Sequence, residues 1–173
     1  MADFLKIDEV LNNLDLKEDM LGAEFGCGSA MFAIALARKL SKGRVYGLDI
    51  QEEKLSAIKG KLSIEKINNI HTILCDLEND KGSTLEDSSL DIVLIPNILF
   101  QSENKYAIIK EAKRVLKSGG QLLVIDWSKS SPFVQKENLA NPDEVKKIAE
   151  TLSLSLKKEF ATGDYHYALL FVK

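Results

Sequence analysis

Residues 21–30, together with residues 45–49, constrain the fold of this chain more than any other feature. An apolar run leads into two closely spaced glycines, a helical stretch follows, and a second apolar run ends in the acid Asp49. Gly26 and Gly28 stand where a strand would turn into a helix. There the backbone takes unusual angles or lies against a ligand with no room for a Cβ atom. The pattern predicts a site for a nucleotide-type cofactor.

The residues around the two glycines disfavour a dinucleotide. A dinucleotide fingerprint has a third glycine at the position of Met31, so that the helix N-terminus can approach a pyrophosphate. Glu24, two residues before Gly26, would repel a phosphate but attract a cofactor that carries an ammonium and a sulfonium group. We therefore expect neither NAD nor NADP to bind, and an NAD-dependent oxidoreductase is the less favoured alternative.

The length, charge and composition of the chain narrow down its binding partners and its cellular location. With 173 residues the chain has the length of a single domain, 1–173, and its net charge of -3 disfavours a broad basic surface for nucleic acid. The start of the chain has no basic segment before an apolar run, and the most apolar stretch, 90–100, is too short to span a bilayer. The two cysteines, Cys27 and Cys75, do not make a structural metal cluster. We expect a cytoplasmic protein, a monomer or homodimer, with no metal and no membrane partner.

Helix-type and strand-type periods alternate along the chain, which is typical of a parallel sheet with helices on both faces. Seven strands are predicted, at 21–26, 44–49, 70–75, 90–96, 120–127, 154–161 and 165–172. Core-facing stripes of three helices are predicted at Phe32, Leu36 and Leu40; at Leu55, Ile58 and Leu62; and at Ile108, Ala112 and Val115. The last two strands are joined only by residues 162–164, too few for a crossover helix, so we expect an antiparallel hairpin.

Capping residues predict where several helices begin and end. A first helix is expected around residues 6–13. Asn141 and Pro142 predict the start of a last helix that runs to about residue 151. The third striped helix is expected to end at 117–120, where a lysine suits the helix dipole and a glycine supplies a left-handed stop.

Four motifs follow one another along the chain: the acid-x-Gly-x-Gly motif with Asp49, and residues 73–78, 90–97 and 111–127. In this order they resemble the motifs of class I S-adenosylmethionine-dependent methyltransferases, and the chain is similar to the ubiquinone and menaquinone biosynthesis methyltransferase family and its small relatives. The resemblance implies an α/β, Rossmann-like fold with a seven-stranded, mostly parallel sheet that ends in the antiparallel hairpin. It also implies S-adenosyl-L-methionine as cofactor and S-adenosyl-L-homocysteine as product. Ala30 departs from the family, in which a third glycine is common at this position.

The same resemblance implies roles around the cofactor. Glu24 would meet its amino group, Asp49 its ribose hydroxyls and Asp76 its adenine amino group. The remaining predicted cofactor contacts are the turn residues Gly26, Cys27 and Gly28, the ring-flanking residues Ile50 and Leu77, and Asn97 near the methyl group. Strand-end acids also cap turns and helices, so a purely structural role stays open for Asp49 and Asp76.

The sequence indicates the residues that bind the methyl acceptor less clearly than those that bind the cofactor. Candidate catalytic or acceptor-orienting residues are His166, Tyr165, Gln101 and Trp127, with Tyr167, Asn104 and the 128–140 segment including Phe133 as further lining. A histidine titrates in the range useful for taking a proton. We expect the acceptor to be a small molecule, whose identity the motifs leave open. A non-catalytic S-adenosylmethionine-binding module or partner subunit is the main alternative to a transferase.

Overall fold

The computed structural model describes residues 5–128, 134 and 139–173. The helices are α1 (Ile7–Leu11), α2 (Met31–Lys39), α3 (Glu52–Glu65), α4 (Lys105–Val115) and α5 (Pro142–Thr151), with a short 3-10 helix at Leu99–Gln101. The strands are β1 (Leu21–Phe25), β2 (Arg44–Asp49), β3 (Ile70–Leu74), β4 (Leu90–Pro96), β5 (Leu116–Trp127), β6 (Ser155–Thr162) and β7 (His166–Val172). Each predicted strand is present, and β5 begins earlier than predicted.

The strands form one sheet in the order β3-β2-β1-β4-β5-β7-β6. β7 runs antiparallel to both β5 and β6, and the other neighbouring pairs are parallel. The predicted α/β fold, with a mostly parallel sheet that ends in an antiparallel hairpin, is confirmed. Because β6 runs in the direction of β1 to β5, the hairpin turn lies at the edge where the carboxyl ends of the parallel strands meet. Ligands of open α/β sheets bind at that edge.

Helices cover both faces of the sheet, and the strands feed a core on each face because successive side chains point in opposite directions. Val93 and Ile95 of β4 pack in the core that includes residues of α4 and α5, whereas Ile92 and Leu94 pack in the core of α1, α2 and α3. The residues of all three predicted helical stripes are buried. Since Ala23 and Phe25 belong to the first core, Glu24 between them faces α2.

The start of α5 follows its prediction. Pro142 is the first helical residue, and Asn141 Oδ1 accepts a hydrogen bond from Asp143 N–H at 2.8 Å. None of the helices in the described part of the chain is long and apolar enough to cross a membrane.

The expected glycine stop of α4 is wrong. The helix ends at Val115, and Leu116 is already extended because it pairs with β4. Gly119 has a φ of +78°, but its N–H donates to Lys173 O at 2.8 Å, and Lys173 N–H donates to Gly120 O at 3.0 Å. The two glycines therefore lie within β5 and bond to Lys173 just after β7, and the chain passes from α4 directly into β5.

Candidate cofactor-binding site

The turn between β1 and α2 needs its two glycines for different reasons. Gly26 has a φ of +70°, and a Cβ atom there would lie 2.2 Å from Cγ2 of Ile98. Gly28 has a φ of +43°, and the nearest atom to a Cβ there would be Gly26 O at 3.9 Å. The first glycine therefore allows close packing against the segment after β4. The second leaves open backbone that a ligand can approach.

Ala30 adopts the left-handed conformation that a glycine would take without strain. Its φ is 57° and its ψ is 24°, and the side chain is 1% exposed at the start of α2. For a residue with a Cβ atom this conformation costs about 1–2 kcal/mol. The departure from the glycine pattern keeps the shape of the turn at a cost in stability.

Glu24 is a buried carboxylate beside the first turn of α2. It is 3% exposed, and its Oε2 accepts a hydrogen bond from Ala33 N–H at 2.6 Å. The pKa of Glu24 is raised to about 8, chiefly by burial, against the lowering effect of the Ala33 bond and with a further increase from the charge of Asp49. Among the described residues no basic side chain pairs with it. A cationic ligand is the partner that would favour its ionised form.

Asp49 fastens the glycine turn to the end of β2. It is 6% exposed, with Oδ2 accepting from Gly28 N–H at 2.9 Å and Oδ1 from Gln51 N–H at 3.0 Å. This is the structural role that the sequence left open. A carboxylate oxygen can accept more than one hydrogen bond, so the same side chain keeps capacity for ligand hydroxyls.

Asp76 is arranged in a similar way after β3. Its Oδ1 accepts from Glu78 N–H at 2.9 Å and its Oδ2 from Asn79 Nδ2 at 3.1 Å. The side chain therefore shapes its own turn, and spare lone pairs remain for a donor from outside the protein.

These groups border one cavity of about 430 Å³ at the carboxyl edge of the sheet. Its lining includes all the residues predicted to contact the cofactor: Glu24, Gly26, Cys27, Gly28, Asp49, Ile50, Asp76, Leu77 and Asn97. The volume is within the range of about 300–1,000 Å³ that is usual for ligand pockets. Lys54 is the one basic residue among the described residues of the lining, so the cavity is acidic.

Two cysteines also border the cavity, and neither is suited to act as a nucleophile. Burial raises the pKa of both Cys27 and Cys75 to about 12. Both thiols are therefore protonated near neutral pH, and the thiolate is the reactive form.

Glu78 is a cavity residue that sequence reasoning missed. Its Oε1 accepts from Glu103 N–H at 3.2 Å and its Oε2 from Asn104 N–H at 3.1 Å, which fastens the segment after β4 across the cavity. The partners lie 25 and 26 positions away in the sequence, so no local pattern signals this contact. Asn104, predicted as polar lining, instead caps α4 through Oδ1, which accepts from Ala107 N–H at 3.0 Å.

The acceptor-side candidates occupy different places. Gln101 borders the cavity, and its Nε2 donates to Asn97 O at 3.4 Å. Trp127 and His166 are not in the described lining; they pack together at the same edge of the sheet, with ring centroids 4.2 Å apart.

Neither Tyr167 nor Tyr165 is in the described lining of the cavity. Tyr167 packs in the core on the face of the sheet that α4 and α5 cover. Strand alternation points its neighbour His166 to the other face. Tyr165 lies in the hairpin turn, where its carbonyl accepts from Ser128 N–H at 2.7 Å. Phe133 and most of the 128–140 segment lie outside the described residues.

Comparison with known proteins places this geometry in a family. A family model described as a methyltransferase domain matches residues 16–168. The chain belongs to the methyltransferase domain family. The predicted resemblance to class I S-adenosylmethionine-dependent methyltransferases is thereby confirmed.

This methyltransferase domain has a similar curated relative in the demethylmenaquinone methyltransferase of Staphylococcus haemolyticus. The two are 32% identical over 129 residues, which make up 74% of this chain and 52% of that protein. The chain spans about half the length of the curated relatives that it matches.

Solved structures share the fold. A SAM-dependent methyltransferase from Aquifex aeolicus superposes with a TM-score of 0.87 at 23% identity, over 96% of this chain and 89% of that one. A geranyl diphosphate C-methyltransferase from Streptomyces coelicolor, in complex with S-adenosyl-L-homocysteine, has a TM-score of 0.80 at 12% identity, over 96% and 78% of the respective chains.

The cofactor that goes with this methyltransferase domain is S-adenosylmethionine, as predicted. The residues present fit it. Glu24 is a buried carboxylate that lacks a cation among the described residues, and Gly28 exposes backbone at the cavity. Asp49 and Asp76 keep acceptor capacity for hydroxyl and amino groups.

Proposed function

We propose that this methyltransferase domain transfers a methyl group from S-adenosylmethionine to a small-molecule acceptor. The observation that carries the proposal is the buried carboxylate of Glu24, which has no cationic partner among the described residues and borders a cavity with Asp49, Asp76 and Glu78. A cofactor with an ammonium and a sulfonium group brings positive charge to this acidic site. A dinucleotide would bring a pyrophosphate to the same acids and be repelled.

In the proposed arrangement each strand end contacts one part of the cofactor. Glu24 binds the amino group, Asp49 accepts the ribose hydroxyls, and Asp76 accepts the adenine amino group. Ile50 and Leu77 flank the adenine ring. Ile50 is 63% exposed, so a bound ring would cover apolar surface that now faces water.

The bound cofactor supplies a methyl group on a sulfonium, which a nucleophile takes by in-line displacement. The protein then contributes mainly by alignment of the reacting groups. Asn97 at the end of β4 is held firmly in position, which suits it to align them. Its φ is 54°, its N–H donates to Ile125 O at 2.8 Å, and its carbonyl accepts from Gln101. We propose that Asn97 and Gln101 form the wall between cofactor and acceptor.

Demethylmenaquinone, after which the Staphylococcus haemolyticus relative is named, is the first acceptor to test. The extent of the domain over 1–173, the cytoplasmic location, the monomeric or homodimeric state and the absence of nucleic-acid and membrane partners stay predictions.

Calorimetry tests the binding half of the proposal. We expect S-adenosylmethionine and S-adenosylhomocysteine to bind and NADH not to bind. The substitution Asp49→Ala should weaken both cofactor forms by about 2–4 kcal/mol, because hydrogen bonds to a buried charged acceptor are lost. Asp80→Ala is a matched control, since the Asp80 side chain is 80% exposed and outside the cavity lining. No heat with either cofactor form, or saturable NADH binding, would contradict the assignment.

Turnover tests the other half. Methyl-labelled cofactor is incubated with demethylmenaquinone, and then with a metabolite extract, and labelled product is sought. Label in a small molecule supports the transferase. Tight cofactor binding with no label in any compound would favour the alternative, a non-catalytic binding module.

A further inference from the structure

The buried polar atoms without partners are concentrated in one place. Among the described residues, buried side-chain atoms that lack a hydrogen-bond partner are Asn97 Oδ1, Trp127 Nε1, both ring nitrogens of His166, and the Tyr167 hydroxyl. These residues lie at the ends of three neighbouring strands, β4, β5 and β7. Buried polar atoms are nearly always paired, and each exception needs an explanation. Four of the five atoms belong to Asn97, Trp127 and His166, and their position at one edge of the sheet points to a common cause for these three residues.

Strand register relates the Trp127–His166 pair to the cofactor cavity. Trp127 is the register partner of His166, and its ring also meets that of Phe100 edge-on, with centroids 6.5 Å apart. Ile125, two residues before Trp127, is the register partner of Pro96, which borders the cavity. By strand spacing, Trp127 is one strand, about 5 Å, across from Pro96 and about 7 Å further toward the carboxyl edge.

The donors and acceptors of these side chains indicate which kind of ligand group could pair with them. The indole N–H of Trp127 can only donate, a neutral imidazole donates once and accepts once, and Asn97 Oδ1 accepts. Burial lowers the pKa of His166, which favours the neutral ring. Tyr167 is excluded from the set because its side chain lies in the opposite core.

We propose that Trp127, His166 and Asn97 form a subsite that binds the hydroxyl-bearing end of an uncharged methyl acceptor. The proposal rests on the proposed function, since the subsite is useful only beside a bound methyl donor. An anionic acceptor is disfavoured because the subsite carries no positive charge and the described lining of the adjoining cavity holds one base, Lys54, among several acids.

The composition of the chain gives this subsite two direct reporters. Trp127 is the single tryptophan, so intrinsic tryptophan fluorescence reports on it alone. His166 is one of two histidines, and the other, exposed His71, is an internal reference in histidine-labelled NMR spectra.

The experiment uses the full chain saturated with S-adenosylhomocysteine and titrated with phenol, toluene and benzoate. We expect phenol to change Trp127 emission saturably and to shift the His166 resonances but not those of His71. Toluene, which lacks the hydroxyl, and benzoate, which is charged, should each bind at least tenfold more weakly. His166→Phe, which keeps a ring but removes both nitrogens, should lose phenol binding and retain S-adenosylhomocysteine binding, and His71→Phe should retain both.

The possible failures are distinguishable. If S-adenosylhomocysteine does not bind, the proposed function fails. If it binds but phenol leaves Trp127 and His166 unchanged, or if phenol and toluene or phenol and benzoate bind equally, the subsite is overturned. Should His166→Phe not fold, the titrations of the unaltered protein decide the matter by themselves.

Discussion

Two glutamates of this protein are equally buried, at 3% exposure each, and their surroundings are opposite. Glu111 of α4 accepts from both the N–H and the hydroxyl of Ser83 and forms a two-point contact with Arg114, at 2.8 Å and 2.7 Å. Arg114 also donates to Leu85 O at 2.8 Å. Glu24 accepts from Ala33 N–H, and among the described residues no cation pairs with it.

The difference in pKa follows from these partners. Burial acts to raise the pKa of Glu111, but the bonds and charge of Arg114, with the bonds from Ser83, outweigh it and lower the pKa. At Glu24 burial prevails and raises the pKa to about 8. A buried carboxylate with its own arginine anchors the loop before β4 to a helix. A buried carboxylate beside a cavity, without such a partner, is suited to a cationic ligand.

The largest effect is expected from Arg114→Met, which removes the cation of the paired site. Loss of one member of a buried ion pair costs about 3–5 kcal/mol of folding free energy, because the remaining charge is left uncompensated. Urea denaturation measures the change, and calorimetry should show unaltered cofactor affinity in the folded variant. Arg38→Met is the matched control, since the Arg38 side chain is 67% exposed in its pair with Glu65 and should cost less than about 1 kcal/mol. Equal losses in the two variants would remove the distinction.

Glu24→Gln should have the converse effect, because it should weaken cofactor binding without weakening the fold. The amide can still accept from Ala33 N–H but carries no charge for the cofactor ammonium. We expect cofactor binding to weaken by about 2–3 kcal/mol, roughly 30- to 150-fold. Glu111→Gln is the control and should keep the affinity while losing stability. Unchanged cofactor affinity in Glu24→Gln would show that the buried acid does not contact the ligand.

The pH dependence of stability separates the two acids further. The folded-state pKa of Glu24 lies above the ordinary value of 4.5, so its contribution to stability falls as the pH rises from about 4.5 through about 8. For Glu111, whose pKa is lowered, the contribution is present above the ordinary value and is lost as the pH falls. We expect the free energy of unfolding of Glu24→Gln, relative to that of the unaltered protein, to increase as the pH rises toward 8. Parallel curves would contradict the assigned shift.

Cofactor binding should release the proton that Glu24 holds in the free protein. Because the ammonium favours ionised Glu24, binding near pH 7 should release about one proton, and affinity should rise by at most tenfold per pH unit up to about pH 8. Above that pH the cofactor's own amino group loses its charge, so affinity should fall again. Calorimetry in buffers with different ionisation heats counts the proton. Its persistence in Glu24→Gln would assign it to another group.

The smallest effect concerns the backbone rather than the charge of the site. Ala30→Gly should stabilise the fold by about 0.5–1 kcal/mol, because relief of the left-handed strain exceeds the added freedom of the unfolded chain. Ala33→Gly, inside α2, should instead cost about 1 kcal/mol. Thermal unfolding of the two variants gives the comparison. A loss of stability in Ala30→Gly would mean that packing of the buried methyl group outweighs the strain.

Much of the fold follows from local pattern. The alternation of apolar periods predicted the strands, the short connection at 162–164 predicted the antiparallel hairpin, and Asn141 with Pro142 predicted the start of α5. The end of α4 was predicted wrongly, because the pairing of Leu116 with β4 overrides the glycine signal that follows it. Local signals compete with tertiary pairing, and at that position the pairing prevails.

The candidate site also combines features that local sequence patterns predicted with features that only the structure shows. The glycine turn and the acids at the ends of β1, β2 and β3 were recognisable from sequence because parallel strands bring their carboxyl ends to one edge, and the structure places them around one cavity. The roles of these residues toward the cofactor stay predictions. Three features came only from the tertiary structure: the Glu78 link to residues 103 and 104, the hydrogen bonds of Ser83 to Glu111 and the contact of Trp127 with His166.

The sequence by itself determined the order of elements, the family and the kind of cofactor, since these depend on periodicity and on short motifs within single turns. The tertiary structure decided which acids are buried and what surrounds them beyond their own helix or strand. Glu24 and Glu111 are the same residue type and equally buried, and helical i,i+3 spacing already brings Arg114 to Glu111. Only the folded arrangement brings Ser83, 28 positions away in the sequence, to Glu111 and places a cavity beside Glu24. Burial and distance set the charge state of a carboxylate, and neither is encoded by its neighbours in sequence alone.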